Sequence, residues 1–164
     1  MSNILVKNGF ALFWSGWPSN WHPSPFSIQG TMYNCVEQWM MAEKARCFGD
    51  SEAEKRVMSA SDPYDQKRFG RAVRNYNDKK WADVRYMVVL RGTLEKYRQN
   101  PHLRAHLLDP AWDGLVFVEA SPDDRIWGIG REKKDPLAWN RSTWLGTNLL
   151  GQAITEARGI LKRG

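Results

Sequence analysis

The chain has 164 residues, a formal charge of +6 and 42% hydrophobic residues, which suits one globular domain with a real core and excludes a disordered segment. The positive charge favours a phosphate-bearing partner (a nucleotide, a sugar phosphate or nucleic acid), but the basic residues form no run of five or more, which excludes a dedicated nucleic-acid tail. No apolar run is long enough to span a bilayer, no secretory signal is found, and the two cysteines form no CxxC, so the expected setting is the cytoplasm, without a membrane partner or structural zinc.

In chain order, Ile4 to Val6 and Phe10 to Phe13 read as short strands or extended segments. The loop from Trp14 to Pro25 holds three prolines and cannot be helical. It offers Trp17, Asn20 and Trp21 as candidate ligand contacts; the competing reading is a rigid surface loop whose tryptophans serve packing. Phe26-Ser27-Ile28 reads as a strand ahead of a Gln29-Gly30 turn, and Met32-Tyr33 leads into a helix with Asn34 as its N-cap. That helix, running through Val36 to Arg46 and ending at Phe48-Gly49, is apolar nearly all round and is therefore expected to be central. Cys35 and Cys47 sit roughly 18 Å apart along such a helix, too far for a disulfide. Glu37 and Lys44 are close to two full turns apart, so both point the same way, roughly 10 Å apart along the axis. A carboxylate and an ammonium are costly on a mostly buried helix unless they line a pocket or each pairs across to a neighbour.

Ser51 to Ser59 reads as a second helix, with Ser51 and Glu54 in a capping-box pattern. Ser61-Asp62-Pro63 starts a short helix that carries Lys67 and stops near Phe69-Gly70, ahead of Arg71. Asn77 to Lys80 reads as a turn, and Trp81 opens a long helix to Gln99 with Val84, Met87, Val88, Leu90, Leu94 and Tyr97 at helical spacing. Asn100-Pro101 breaks it. A short helix over His102 to Leu108 and one buried strand, Leu115 to Ala120, follow. Ser121 to Asp124 is a turn, Arg125 to Gly130 is extended, Asp135 to Thr143 is an irregular loop, and Asn148 to about Leu161 is a closing amphipathic helix. The expected fold is α+β, predominantly helical, as a single domain over residues 1–164.

Most chemical motifs are absent. Gly128-Ile129-Gly130 lacks the third glycine of a dinucleotide fingerprint, no P-loop or G-x-S-x-G occurs, and H-L-R-A-H at His102 to His106 lacks the glutamate of a zinc-protease helix. The turn after the buried strand is richer: Glu119, Asp123, Asp124 and Arg125 gather where strands end. Paired carboxylates there can act as general acid and base or steady an oxocarbenium-like transition state, against the alternative of a solvated acidic turn.

The blocks Pro18-Ser-Asn20-Trp, Val36-Glu37-Gln-Trp followed by Ala42-Glu-Lys44-Ala, Gly70-Arg71, Trp81 with Arg85, Glu119-Ala-Ser-Pro-Asp-Asp124-Arg-Ile-Trp127-Gly and Trp144-Leu-Gly-Thr-Asn148-Leu-Leu-Gly151 resemble, in order, the NADAR family of YbiA-like N-glycosidases. The resemblance implies hydrolysis of an N-glycosidic bond in a ribosylated, phosphate-bearing compound, with no cofactor and no metal. One branch of the family cleaves ribosylamino-pyrimidine phosphates of the riboflavin pathway; another removes ADP-ribose from guanine in nucleic acid. Non-catalytic binding of ADP-ribose or a nucleotide is the alternative class. The resemblance places Glu37, Lys44, Trp81, Asp124, Trp127 and Asn148 on the family's active-site positions, with Glu37, Lys44 and Asp124 expected to be catalytic and Trp81, Trp127 and Asn148 expected to contact substrate; Asn20 is a further expected contact, and Arg71, with Arg85 or Lys67 as alternatives, is expected to hold the phosphate. Trp127-Gly-Ile129-Gly stands where the riboflavin branch often carries an acid, W-G-D-G.

Overall fold

The computed structural model describes residues 3–164. It is an α+β fold dominated by helix, and its described residues gather into two compact units interleaved along the chain: residues 3–19 with 102–164, and residues 20–101.

The first unit is built on a three-stranded sheet. Strands β1 (Leu5–Lys7) and β2 (Phe10–Phe13) form an antiparallel hairpin, and β5 (Val116–Glu119) pairs parallel with β2, so that Leu12 lies beside Val118. The hairpin turn is Asn8-Gly9, both at positive φ (54° and 81°), as a two-residue connection requires. Leu12, Val118, Ala120, Ile129 and Ala138 form the core of this unit, with Phe10, Val116, Trp139 and Trp144 packed around it. Helix α5 (Pro101–Leu107) enters the unit, and helix α6 (Leu149–Arg163) closes it, burying Leu150, Ala153, Ile154, Ala157 and Leu161. The segment expected as an irregular loop, Asp135 to Thr143, is wound into two 3-10 turns, Pro136–Trp139 and Arg141–Thr143, capped by the side chains of Asp135 and Asn140.

The second unit carries the central helix. A hairpin of β3 (Phe26–Ile28) and β4 (Thr31–Tyr33) turns at Gln29-Gly30 and leads into α1 (Val36–Cys47). Around α1 stand α2 (Ser51–Ser59), α3 (Pro63–Arg71) and α4 (Asp78–Gln99). Two glycines permit the closest approaches. A Cβ at Gly92 would strike the Trp39 ring, whose Nε1 donates to the Val88 carbonyl at 2.7 Å, and a Cβ at Gly70 would strike the Met41 sulfur.

Three caps differ from the sequence expectation. Cys35, not Asn34, is the N-cap of α1, because the Asn34 side chain is engaged with Gln66 and Ser61. Asp50, not Ser51, caps α2: its carboxylate accepts from Ala53 N–H at 3.1 Å and also from the Arg74 backbone and guanidinium, a tertiary partnership that Ser51 lacks. The Arg74 contact holds the Asp50 carboxyl well below the usual carboxylate range. Helix α4 begins at Asp78, not Trp81, with Asn77 as its cap accepting from Lys80 N–H at 2.9 Å. Among the described residues, no helix is long and apolar enough to cross a membrane.

Lys96 on α4 is 1% exposed, and burial pushes its amine down to about 7, opposed by nearby Cys35. Between that value and the ordinary 10.5 the folded chain holds Lys96 neutral while the unfolded chain protonates it. The unfolded state then binds more protons, so stability rises with pH across this window and the loss is complete below it. Thermal unfolding across the window is therefore expected to show a climbing Tm in the native chain, a flatter climb in Lys96→Met, and a higher Tm for that variant at neutral pH. An unchanged slope in Lys96→Met would contradict this.

Candidate active site

Helix α1 brings the candidate chemistry of the second unit together. Glu37 lies in its first turn, 4% exposed, and its backbone N–H donates to the Asn20 carbonyl at 3.0 Å. Asn20 thus acts on α1 through its backbone, and its side chain is itself buried. Lys44 lies two turns on, half-buried, with its ammonium 4.6 Å over the Tyr76 ring. Burial lowers its pKa; the Glu37 carboxylate opposes that shift, Arg71 reinforces it and Asp78 opposes it. Glu37, Arg71 and Asp78 are therefore all within electrostatic reach of one amine.

The local sequence explains how Arg71 gets there. Gly70 lets the end of α3 ride against Met41 of α1, and Arg71 is the next residue, exposed and ending the helix. Trp81, by contrast, is 5% exposed on α4, a wall and not an open stacking surface. Two participants escaped the sequence reading. Tyr76 and Asp78 fall in and beside the stretch read as a plain turn; the Tyr76 hydroxyl donates to Asp78 at 2.8 Å, which fixes the ring beneath Lys44. No spacing signal could have found them.

The first unit holds Asp124, Trp127 and Asn148 in a different kind of arrangement. The Asp124 carboxylate oxygen Oδ1 accepts from the backbone N–H groups of Ile126 and Trp127 at 2.9 and 2.8 Å, so it ties the turn it stands in. Asn148 is not the first residue of α6 but its cap, in a left-handed conformation (φ 53°). Its side chain is 1% exposed and grips β5: Nδ2 donates to Phe117 O at 3.0 Å and Oδ1 accepts from Glu119 N–H at 2.9 Å. The residue expected as a substrate contact clamps the strand with its side chain.

Helix α6 lacks a side-chain cap because backbone serves instead. The carbonyls of Gly128, Ile126 and Trp127 accept from the N–H groups of Asn148, Leu149 and Leu150 at 3.0 to 3.1 Å. Gly128, Gly146 and Gly151 make this contact feasible: a Cβ at Gly146 would collide with Gly128 O, and one at Gly151 with Phe117 O. Trp127 is half-buried within this frame. Trp17 stacks on His106 at 5.8 Å and meets Phe117 at 5.9 Å, as packing requires, whereas Trp21 is 40% exposed with Lys67 5.9 Å from its ring.

A NADAR domain model matches residues 12–162. Among curated relatives, the N-glycosidase R617 of Acanthamoeba polyphaga mimivirus is 37% identical over 145 residues, covering 85% of this chain and 84% of that protein. The riboflavin biosynthesis protein VVA0006 of Vibrio vulnificus is 29% identical over 115 residues, 70% of this chain but only 30% of that longer protein. The NMR structure of the Escherichia coli protein YbiA superposes with a TM-score of 0.76 at 26% identity, covering 97% of this chain and 88% of the other.

The hydrogen bonds at Asp124 separate two roles. An asparagine keeps the Oδ1 acceptor, so Asp124→Asn is expected to leave stability within about 0.5 kcal/mol, whereas Asp124→Ala is expected to cost about 1–2 kcal/mol in denaturant unfolding. Equal losses in both variants would rule out the turn-tying role. Lost turnover in Asp124→Asn at intact stability would assign the carboxylate chemistry as well.

Proposed function

The chain belongs to the NADAR family, and on that premise we propose that it hydrolyses the N-glycosidic bond of a ribosylated, phosphate-bearing compound. It is an enzyme that breaks glycosyl bonds, the activity named among its relatives. The observation that carries the finer reading is the Lys44 amine, held below the ordinary lysine range by burial, with the Glu37 carboxylate two turns back and the Arg71 cation beside it.

Breaking an N-glycosidic bond builds positive charge on the ribose ring and negative charge on the departing base. Glu37 steadies the first and takes a proton from the attacking water. Lys44 protonates the leaving nitrogen, which a lysine of lowered pKa does more readily than an ordinary one. The water oxygen ends on the anomeric carbon and the base leaves with the lysine's proton, so no redox step is involved. Arg71, an exposed guanidinium near the amine, is suited to the substrate phosphate. Asp124 ties its own turn through one oxygen, and this mechanism does not require it. The base released is that of a ribosylamino-pyrimidine phosphate or of an ADP-ribosylated guanine; the +6 charge suits either and allows nucleic acid as the carrier. The free Cys35 and Cys47 suit a reducing, cytoplasmic setting.

Glu37→Gln is expected to lower kcat by about 100- to 10,000-fold in a substrate panel read by the mass of the released sugar, with binding largely kept. Full retention of turnover would remove Glu37 from the chemistry. The high-pH limb of the rate profile is expected below the lysine value of about 10.4, because activity is lost as Lys44 deprotonates and its pKa is lowered. Borohydride treatment during turnover is expected to trap no protein–sugar adduct; an adduct at Lys44 would make the amine the nucleophile.

A further inference from the structure

Helix α4 carries a guanidinium for which the fold supplies no partner. Arg85 is half-buried, its Nε is shielded from water without a hydrogen-bond acceptor, and no carboxylate among the described residues pairs with it. A buried donor left unpaired is destabilising, and more so on a charged group. Arg46, the other guanidinium of the second unit that is not exposed, has the usual solution: it is bonded to Glu43, Glu54 and Tyr33. The position of Arg85 on α4 puts it beside the candidate chemistry. Asp78, Trp81 and Arg85 fall on one face of the helix, with Asp78 and Arg85 roughly 10 Å apart along the axis. At one end of this face Asp78 accepts from the Tyr76 hydroxyl, whose ring lies under Lys44. At the other end Gly92, seven residues past Arg85, admits the Trp39 ring of α1. These two anchors bracket Arg85 between the Trp39 and Lys44 levels of α1. Tyr76 shows the same proximity: burial and then Asp78 hold its phenol above the ordinary value, and Arg85 is the charge that opposes them.

We propose that Arg85 binds the phosphate on the ribose being cleaved, and that it is the residue that selects phosphorylated N-ribosyl compounds over unphosphorylated ones. The proposal rests on the reading of Glu37 and Lys44 as the site of cleavage. A phosphate oxygen satisfies the orphaned Nε, and the guanidinium fork offers a second, parallel donor to a neighbouring oxygen. The cleaved ribose carries a phosphoryl group in a ribosylamino-pyrimidine phosphate and in an ADP-ribosylated guanine alike, so this contact does not depend on which base leaves. Arg71 and Lys67, the other basic residues expected at the phosphate, are placed differently. Arg71 is exposed and keeps its hydration, which suits an outer contact, and Lys67 has its Nζ 5.9 Å from the Trp21 ring. Of the three, Arg85 alone has a buried donor that lacks an acceptor.

The test starts with calorimetric titration of the full chain by ribose 5-phosphate and by ribose. Ribose 5-phosphate is expected to bind wild type and to bind Arg85→Met about 10- to 100-fold more weakly, with Arg85→Lys, which keeps the charge but not Nε, in between. Arg71→Met is expected to lose less, and ribose to bind wild type and Arg85→Met alike. Without ligand, Arg85→Met is expected to keep or raise the wild-type Tm, because methionine retains an apolar stem and leaves no donor unpaired. An arginine that serves the fold would lose stability in the same measurement. Ribose 5-phosphate affinity that survives in Arg85→Met, no binding to wild type, or a fall in the ligand-free Tm of Arg85→Met overturns the proposal. The second arm is turnover of an N-ribosyl 5-phosphate. There Arg85→Met is expected to raise KM more than it lowers kcat, the reverse of Glu37→Gln, and an unchanged KM overturns the assignment. If no substrate is cleaved while ribose 5-phosphate binding still depends on Arg85, the hydrolase reading fails and the phosphate contact stands.

Discussion

The second unit depends on one constraint: an ammonium ion carried on a helix that is buried on nearly every side. Eight of the twelve residues of α1 are buried, Glu37 among them, so half-buried Lys44 has only part of the solvation that it would have on a surface helix. What the amine has instead is a set of fixed charges and a ring. Glu37 and Asp78 support its charged form, Arg71 opposes it, and Tyr76 lies beneath it. The balance leaves a lysine that gives up its proton more easily than usual, which is the property needed to protonate a departing base. Two absent side chains bring the neighbours this close. Gly70 seats α3 on Met41 and so delivers Arg71, and Gly92 admits the Trp39 ring between α1 and α4.

The first unit solves a different problem with backbone. The free edge of β5 and the unsatisfied start of α6 are both liabilities, and each supplies what the other needs. Asn148 and Thr155 reach from α6 to the Phe117 and Glu119 groups of β5, while the carbonyls of residues 126 to 128 cap the helix. The two sequence blocks around Trp127 and Asn148, some twenty positions apart, are two sides of one ladder of hydrogen bonds. Their glycines are places where backbone meets backbone, which accounts for their recurrence within the two blocks.

Helix α1 was legible because a helix apolar on all faces that still carries Glu37 and Lys44 leaves few alternatives, and β5 because its apolar run is bounded by turn residues. The errors came where tertiary partners choose between equally good local options. Asp50 and Ser51 are both natural caps, and only Arg74, far along the chain, favours the aspartate. The polar start of α4, Asp78 to Lys80, carries no apolar period and reads as a turn. The grip of Asn148 on β5 was not legible either, because neither it nor the left-handed backbone has a local signature. Tyr76 had none either, since its role depends on Asp78 holding it under Lys44. The Asn8-Gly9 hairpin went unread because its flanking strands are too short to show alternation.

The coupling between Glu37 and Lys44 can be measured directly by following the Lys44 side-chain carbon resonance through a pH titration, in the native chain and in Glu37→Gln. The amine is expected to titrate below the ordinary lysine range in the native chain and lower still in the variant, where burial and Arg71 act without the carboxylate. A Lys44 that titrates like a solvated lysine, or one indifferent to the loss of Glu37, would contradict the account.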